Sequence, residues 1–278
     1  MTLTGDVLAW GLPRLRDLPW RQTRDPWAVL VSEVMLQQTQ VPRVIPKWHA
    51  FLEAFPTTGA CAEAPLGDVL RLWQGLGYPR RARNLHAAAA EVERLGAFPV
   101  TLEGLLALPG VGAYTARAVL AFAFEADAAV VDTNIARIFA RYHGRRLTPR
   151  EVQRLADDAA PLGDAWAWNQ CLMDLGAVLC RPTSPGCREC PLAGSCAWHD
   201  EGDDPAVGSA GVSRTQARFD GSHRQARGRL MKALSLAPVR RDDADSVMQR
   251  DRVTADALVA ALLAEGLVVS ESDVLRLP

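Results

Sequence analysis

Residues 101–123 read TLEGLLALPGVGAYTARAVLAFA. Apolar residues at helical spacing predict two short helices, 102–107 and 113–123, and Pro109-Gly110-Val111-Gly112 separates them. Two glycines one residue apart permit a tight turn whose backbone N–H groups point outward. The second helix adds the first-turn N–H groups and the positive end of its dipole. Such a turn can clamp a phosphate without any basic side chain. The competing reading is an ordinary connection between two helices.

The flanking pattern Leu-Pro-Gly-Val-Gly-x-x-Thr-Ala over 108–116 resembles a helix-hairpin-helix motif, which holds the DNA backbone without reading sequence. Working outward, Asp25-Pro26 starts a helix, and further apolar-periodic segments lie near 42–54, 66–74, 79–94, 132–143, 149–158 and 165–180. No sustained alternation marks a sheet, so residues 1 to about 200 read as all-α. Residues 201–218 are rich in Asp, Gly and Ser and read as a flexible linker. Beyond them, 222–237 and 252–265 read as amphipathic helices. Leu267–Val269 and Val274–Leu277 read as a hairpin. Helices followed by a two-stranded wing predict a small winged-helix-like C-terminal region over 219–278. No internal repeat is visible.

The chain has 278 residues, 49% hydrophobic and 23% charged. That length predicts about two domains, and that composition excludes a disordered chain. No apolar run approaches the ~18 residues of a membrane span, and Met1–Trp20 lacks the pattern of a secretory signal. The expectation is a cytoplasmic protein, nucleoid-associated in a bacterium, monomeric and without a membrane partner. The net charge of −1 shows no strongly basic footprint, but phosphate contacts need only one basic face. Arg80, Arg81, Arg83, Arg145 and Arg146 are candidates for such contacts, with a solvated face equally open to each. Of the 31 basic residues only Lys47 and Lys232 are lysine.

There are six cysteines, and Cys180, Cys187, Cys190 and Cys196 form C-x6-C-x2-C-x5-C. Four clustered thiolates favour a metal site over disulfides in an intracellular chain. Zinc and an iron–sulfur cluster both accept four sulfur ligands. A single short knuckle, Cys187/Cys190, with longer outer spacings favours the cluster, whose irons each take a different cysteine. A bound group here can simply hold the 181–195 loop, with Arg181 and Arg188 turned to phosphates. Cys61 and Cys171 sit in apolar helical contexts and read as core.

Two carboxylates stand out. Asp132 follows the apolar run Ala128–Val131 and precedes Thr133-Asn134, as a helix cap would; a cap at a pocket edge can also be catalytic. Glu33 lies within Ser32-Glu33-Val34-Met35-Leu36, apolar on several sides. Partial burial would raise its pKa and keep it protonated, as a general acid requires.

Ser32-Glu33-Val34-Met35-Leu36-Gln37-Gln38-Thr39-Gln40-Val41 resembles the signature of the adenine DNA glycosylases, the MutY family. So do Pro19-Trp20-Arg21, Asp25-Pro26-Trp27, Trp73-Gln74-Gly75-Leu76-Gly77-Tyr78 and Arg81-Ala82-Arg83-Asn84-Leu85. The hairpin, Asp132-x-Asn134 and the four cysteines follow in the family's order, and the resemblance covers roughly residues 5–200. It implies the two-lobed helix-hairpin-helix fold shared with endonuclease III, with one lobe over 21–123 and a cluster-bearing lobe made of 1–20 and 124–200. It also implies a [4Fe-4S] cluster on the four cysteines. The implied activity is removal of adenine mispaired with 8-oxoguanine or guanine in double-stranded DNA, in a cleft where Glu33 and Asp132 face each other.

The same resemblance assigns roles by position. Glu33 matches the acid that protonates adenine, and Asp132 the carboxylate that stabilises the developing sugar cation. Asn134 matches a residue orienting this chemistry. Gln37 and Gln38 match the residues that fill the gap left by the extruded base, and Trp20, Arg21 and Gln170 positions around that base. Gly110 and Gly112 serve the DNA backbone, and Tyr78 the duplex. Tyr114 stands where lyase members carry a Schiff-base lysine, which implies a monofunctional glycosylase. Thymine-mismatch glycosylases also carry Tyr there and are the main rival. An endonuclease III-like enzyme and a non-catalytic DNA-binding iron–sulfur protein stay open beside them. Three departures stand out. Pro79 replaces a second aromatic and Thr133 a common glycine. The residues from 200 to 278 are too few for the Nudix-like domain that many members carry, and the Ser222-His223 dipeptide resembles that domain's recognition loop only faintly.

Overall fold

The computed structural model describes residues 2–209, 212 and 218–278. The elements in chain order begin with α1 (Leu3–Gly11), α2 (Pro26–Leu36), α3 (Val41–Ala54), α4 (Thr58–Glu63), α5 (Leu66–Leu72), α6 (Arg80–Leu95) and α7 (Leu102–Leu106). There follow α8 (Ala113–Ala123), α9 (Thr133–Tyr142), α10 (Pro149–Ala159) and α11 (Ala165–Val178). The C-terminal region adds α12 (His223–Leu236), β1 (Val239–Arg240), α13 (Ala244–Met248), α14 (Arg252–Ala264), β2 (Val269–Glu271) and β3 (Val274–Arg276). No helix among the described residues is long and apolar enough to cross a membrane.

Local chemistry explains where these helices start. Asp25 accepts from the Trp27 and Ala28 N–H groups at 3.1 and 3.3 Å, and Pro26 fits the first turn of α2. Every residue of α2 from Trp27 to Val34, and Met35 after it, is buried; a helix apolar nearly all round belongs inside a protein. Thr148 and Glu151 form a reciprocal capping box at α10. α6 stops at Gly96, whose φ of 75° is the left-handed turn that ends a helix.

The chain divides into two compact units. The first takes Met1–Val29, Val100–Leu106 and Val111–Thr215; the second takes Leu30–Pro99, Ala107–Gly110 and Gln216–Pro278. This division differs from the expected lobes of 21–123 and 1–20 with 124–200. The boundary falls inside α2, and α8 groups with the first unit because it packs on α11. The core of the first unit joins Val7 of α1, Ile135, Ile138 and Phe139 of α9, Val152 of α10 and Trp168, Leu172 and Leu175 of α11. The second unit buries Phe51 edge-on against Trp73 at 6.1 Å, with Leu70 and Leu85 also buried.

The expected linker 201–218 is in part packed. Asp204 pairs with the buried Arg141 at 2.6 Å, Ala206 joins the first unit's core, and the Ser209 hydroxyl accepts from the Leu147 N–H at 3.0 Å. Its polar composition reflects these specific bonds, which no local pattern announces. Residues 210, 211 and 213–217 of the expected linker lie outside the described residues.

The C-terminal region carries both expected helices and the hairpin. Ser272 and Asp273 have φ of 47° and 64°, the paired left-handed turn that suits a two-residue hairpin. The sheet has a third strand, in order β1-β3-β2, all antiparallel, with the buried Leu275 opposite Val239 and Ser270. β1 escaped the sequence reading because two residues show no alternation. The whole region groups with the second unit: the Gly67 N–H donates to the Pro278 carbonyl at 2.8 Å, and Gln74 Nε2 to the Met231 carbonyl at 3.2 Å.

Candidate active site

In the first unit, Asp132 is the N-cap of α9. Its Oδ1 accepts from the Ile135 N–H at 2.7 Å and its Oδ2 from Asn134 Nδ2 at 3.0 Å. Burial pushes its carboxyl above the ordinary carboxylate range, outweighing these two bonds and the nearby Arg137 guanidinium. The bonds continue inward. Asn134 Oδ1 accepts from Arg137 Nη2 at 2.8 Å, and Arg137 also donates to the carbonyls of Gly176, at 2.8 Å, and Cys180, at 2.7 Å. α9 and α11 approach so closely that a Cβ on Gly176 would sit 2.5 Å from that of Asn134. The extended run before Asp132 is tied down by Asn169. Its Oδ1 accepts from the Val130 N–H at 2.9 Å and its Nδ2 donates to the Ala128 carbonyl at 2.9 Å. Asn169 and Arg137 were missed by the sequence reading, because the bonds that tie them to Val130, Gly176 and Cys180 span 39 or more residues.

Trp20 and Gln170 are buried, and so is Arg21. The Arg21 guanidinium grips Asp174 with two bonds of 2.8 Å, and Arg16 adds a third at 2.6 Å. Burial alone would raise the Asp174 carboxyl, but these donors hold it below its ordinary range. Among the described residues the buried Arg21 Nε has no hydrogen-bond partner. Tyr114 is half-buried in the first turn of α8, behind Gly112, which is the N-cap and offers no side-chain bond.

In the second unit, Glu33 is 4% exposed on the enclosed helix α2. Gln37 and Gln38 follow its last turn, with Gln38 left-handed at φ 58°. Arg81 of α6 gathers this segment. Its Nη1 donates to the carbonyls of Val34, Met35 and Gln37 at 2.8, 3.0 and 2.7 Å, capping the end of α2. Its Nη2 donates to the Leu76 and Gly77 carbonyls at 2.9 and 3.0 Å, and the guanidinium lies 5.4 Å from the Trp73 ring. Burial pushes its pKa down to about 10, with Tyr78 opposing. Arg81 is therefore a half-buried fastener whose guanidinium is taken up by backbone carbonyls. Arg80 pairs with Glu265 at 2.6 Å and Arg83 donates to the Glu265 carbonyl, while in the first unit Arg145 pairs with Glu151 at 2.8 Å. Gly110 has a φ of 76°, and a Cβ there would meet that of Asn84 at 2.6 Å, so both backbone and space require glycine. Pro79 begins α6 as its N-cap, and Thr133 is the first residue of α9.

The four cysteines of the C-x6-C-x2-C-x5-C pattern line one cavity of the first unit, with Arg141, Leu192 and Trp198. Among the described residues no three His, Cys, Asp or Glu side chains converge closely enough to hold a single metal ion. Four thiols lining one cavity are a donor set that both zinc and an iron–sulfur cluster accept. Burial pushes the Cys190 thiol up to about 11, so thiolates there need compensating charge. Arg141, buried, meets the set at Cys180: Nη1 reaches Cys180 Sγ at 3.4 Å, and the guanidinium stacks 4.5 Å from the Trp198 ring. Arg181 turns back to the Ser184 carbonyl at 2.6 Å and Arg188 is exposed.

Comparison with known proteins places this geometry. Residues 31–161 match the HhH-GPD superfamily of base excision DNA repair proteins. The chain is 42% identical over 277 residues to an adenine DNA glycosylase of Mycolicibacterium smegmatis, covering 96% of this chain and 93% of that protein. It is 41% identical over 213 residues to the human adenine DNA glycosylase, covering 69% of this chain and 38% of that one. Among solved structures it resembles a thermostable thymine-DNA glycosylase (TM-score 0.66, 29% identity, 71% of this chain and 94% of that chain). It also resembles endonuclease III trapped in a covalent intermediate with DNA (TM-score 0.63, 26% identity, 71% of this chain and 94% of that chain).

Proposed function

The chain belongs to the adenine DNA glycosylase family, and from that premise we propose that it releases adenine mispaired with 8-oxoguanine or guanine in double-stranded DNA, leaving an abasic site. The observation that carries this reading is a pair of carboxylates in unlike surroundings: Glu33 enclosed on an apolar helix, and Asp132 fixed by two donors at a helix start. Adenine leaves only once its ring carries a proton, and Glu33 delivers that proton to N7. As the N-glycosidic bond breaks, positive charge grows on the sugar, and the ionised Asp132 stabilises it until water adds at the sugar carbon. Asn134 holds the carboxylate in place through its 3.0 Å bond.

The flipped adenine is held by Trp20, Arg21 and the Gln170 amide, while Gln37 and Gln38 fill the vacated stack. Gly110 and Gly112 let the hairpin backbone and the start of α8 approach a phosphate, and Tyr78 meets the duplex. Tyr114 offers no amine for a Schiff base, so the strand stays intact after base release. The four cysteines would hold a [4Fe-4S] cluster, in a segment that Arg137 and Arg141 of α9 tie down through the Cys180 carbonyl and Cys180 Sγ.

Two measurements test this reading. With labelled duplexes, adenine is released from A:8-oxoguanine and A:G, and strand breaks appear only after alkali. Breaks without alkali support a lyase, and tight binding without release supports a non-catalytic protein. For the cluster, the purified protein contains iron and sulfide, and Cys190→Ser loses both together with thermal stability; a single zinc and no iron overturns the assignment.

A further inference from the structure

Tyr78 meets guanidiniums from two separate segments of the second unit. Arg81 lies 5.5 Å from its ring centroid and Arg224 lies 5.9 Å from it, and Arg224 Nη1 donates to the Tyr78 phenolic oxygen at 3.1 Å. Arg224 also lies 5.2 Å from the Phe219 ring, and Phe219 is 51% exposed. Two aromatic rings bridged by an arginine near the surface do little for a core. Alternating rings and cations are what stacked bases and phosphates recognise. Tyr78 is itself left-handed at φ 50°, a conformation a bulky residue keeps only where its surroundings hold it.

Arg224 is well placed to do the holding. Ser222 caps α12, accepting from the Gln225 N–H at 3.2 Å and donating to the Phe219 carbonyl at 2.6 Å, which fixes the Phe219–Arg224 turn. Glu265 pairs with both Arg80, at 2.6 Å, and Arg227, at 2.8 Å, and the Pro278 and Met231 carbonyls are bonded from Gly67 and Gln74. The bonds from Arg80, Gly67 and Gln74 fasten residues 219–278 to the segment that carries Tyr78, so the arginine arrives preorganised. The Ser222-His223 dipeptide thereby has a structural explanation as a helix start.

We propose that Arg224 is a positioning residue for Tyr78, and that through it the C-terminal region is a working part of the duplex-binding surface. The proposal rests on Tyr78 meeting the duplex. It is tested on the full chain with Arg224→Ala, Arg224→Lys, Tyr78→Phe and the double variant Arg224→Ala/Tyr78→Phe. Single-turnover adenine release, affinity for a non-cleavable duplex and thermal melting are measured for each. Arg224→Ala is expected to raise the protein concentration giving half-maximal rate about tenfold, with a much smaller change in the limiting rate and in melting. Arg224→Lys recovers part of that loss, because an ammonium can still donate to the phenol. The double variant binds no more weakly than Arg224→Ala.

Unchanged affinity in Arg224→Ala overturns the proposal, and so do losses that multiply in the double variant. A fall in melting temperature that accounts for the weaker binding also overturns it. Should the wild type release no adenine from either mispair, the mispair reading fails, while the duplex affinities still decide the part of Arg224. If Arg224→Ala does not fold, Arg224→Lys and Tyr78→Phe give the same comparison.

Discussion

Asp132→Asn lowers adenine release about a thousandfold while leaving the fold and the duplex affinity in place. Asparagine is as good an N-cap as aspartate, so the bond from the Ile135 N–H survives and α9 still starts where it does. What disappears is the negative charge beside the forming sugar cation. A burst assay against the wild type, with gel-shift affinity as the control, separates the two effects; an Asp132→Asn protein with wild-type rates would sink the assignment. The carboxyl's raised pKa adds a sign. In the proposed role Asp132 acts as the carboxylate, so the rate is expected to fall as pH drops through its pKa. Because burial places that pKa above the ordinary carboxylate range, the acid limb of the profile lies at higher pH than for an exposed aspartate. Asp132→Asn removes that limb.

Glu33→Gln slows base release between about a hundredfold and ten-thousandfold. Glutamine has nearly the same shape, so the enclosed helix α2 keeps its packing, but it has no proton to give at neutral pH. The loss is therefore chemical, and it has a signature. A purine nucleotide whose base departs without protonation suffers far less from the substitution than adenine does. Comparing the two substrates in one variant checks this directly. Equal losses for both would mean that Glu33 supports the site's shape and does not supply the proton.

The two carboxylates also show where reading the chain stops. Asp132 is legible as a cap because the signal is local: an apolar run, an aspartate and a helix after it. The glycine turn at 110–112 and the cysteine spacing are legible for the same reason, since each is a rule about neighbours in sequence. The short helix α4 and the two-residue strand β1 were not legible, because neither is long enough to show a period. Arg81 reads as a surface cation in the sequence because an arginine among arginines carries no mark of burial. Only the arrival of the carbonyls of Val34, Met35 and Gln37, 44 to 47 residues away in sequence, makes it a fastener.

By itself the sequence determined the helical class, the hairpin, the metal-type cysteine set and the residues worth suspecting. Each of these follows from spacing along the chain and from the intrinsic chemistry of a few residue types. The tertiary structure alone decided which polar groups hold the suspects in place: Asn169 behind Asp132, Arg137 between Asn134 and Cys180, Asp174 beneath Arg21, Arg224 against Tyr78. Those pairings join residues 39 or more apart, with the Asn134–Arg137 bond the one local link, and a buried donor takes whichever acceptor the packing brings to it. That choice is made when the helices pack, so no local pattern records it.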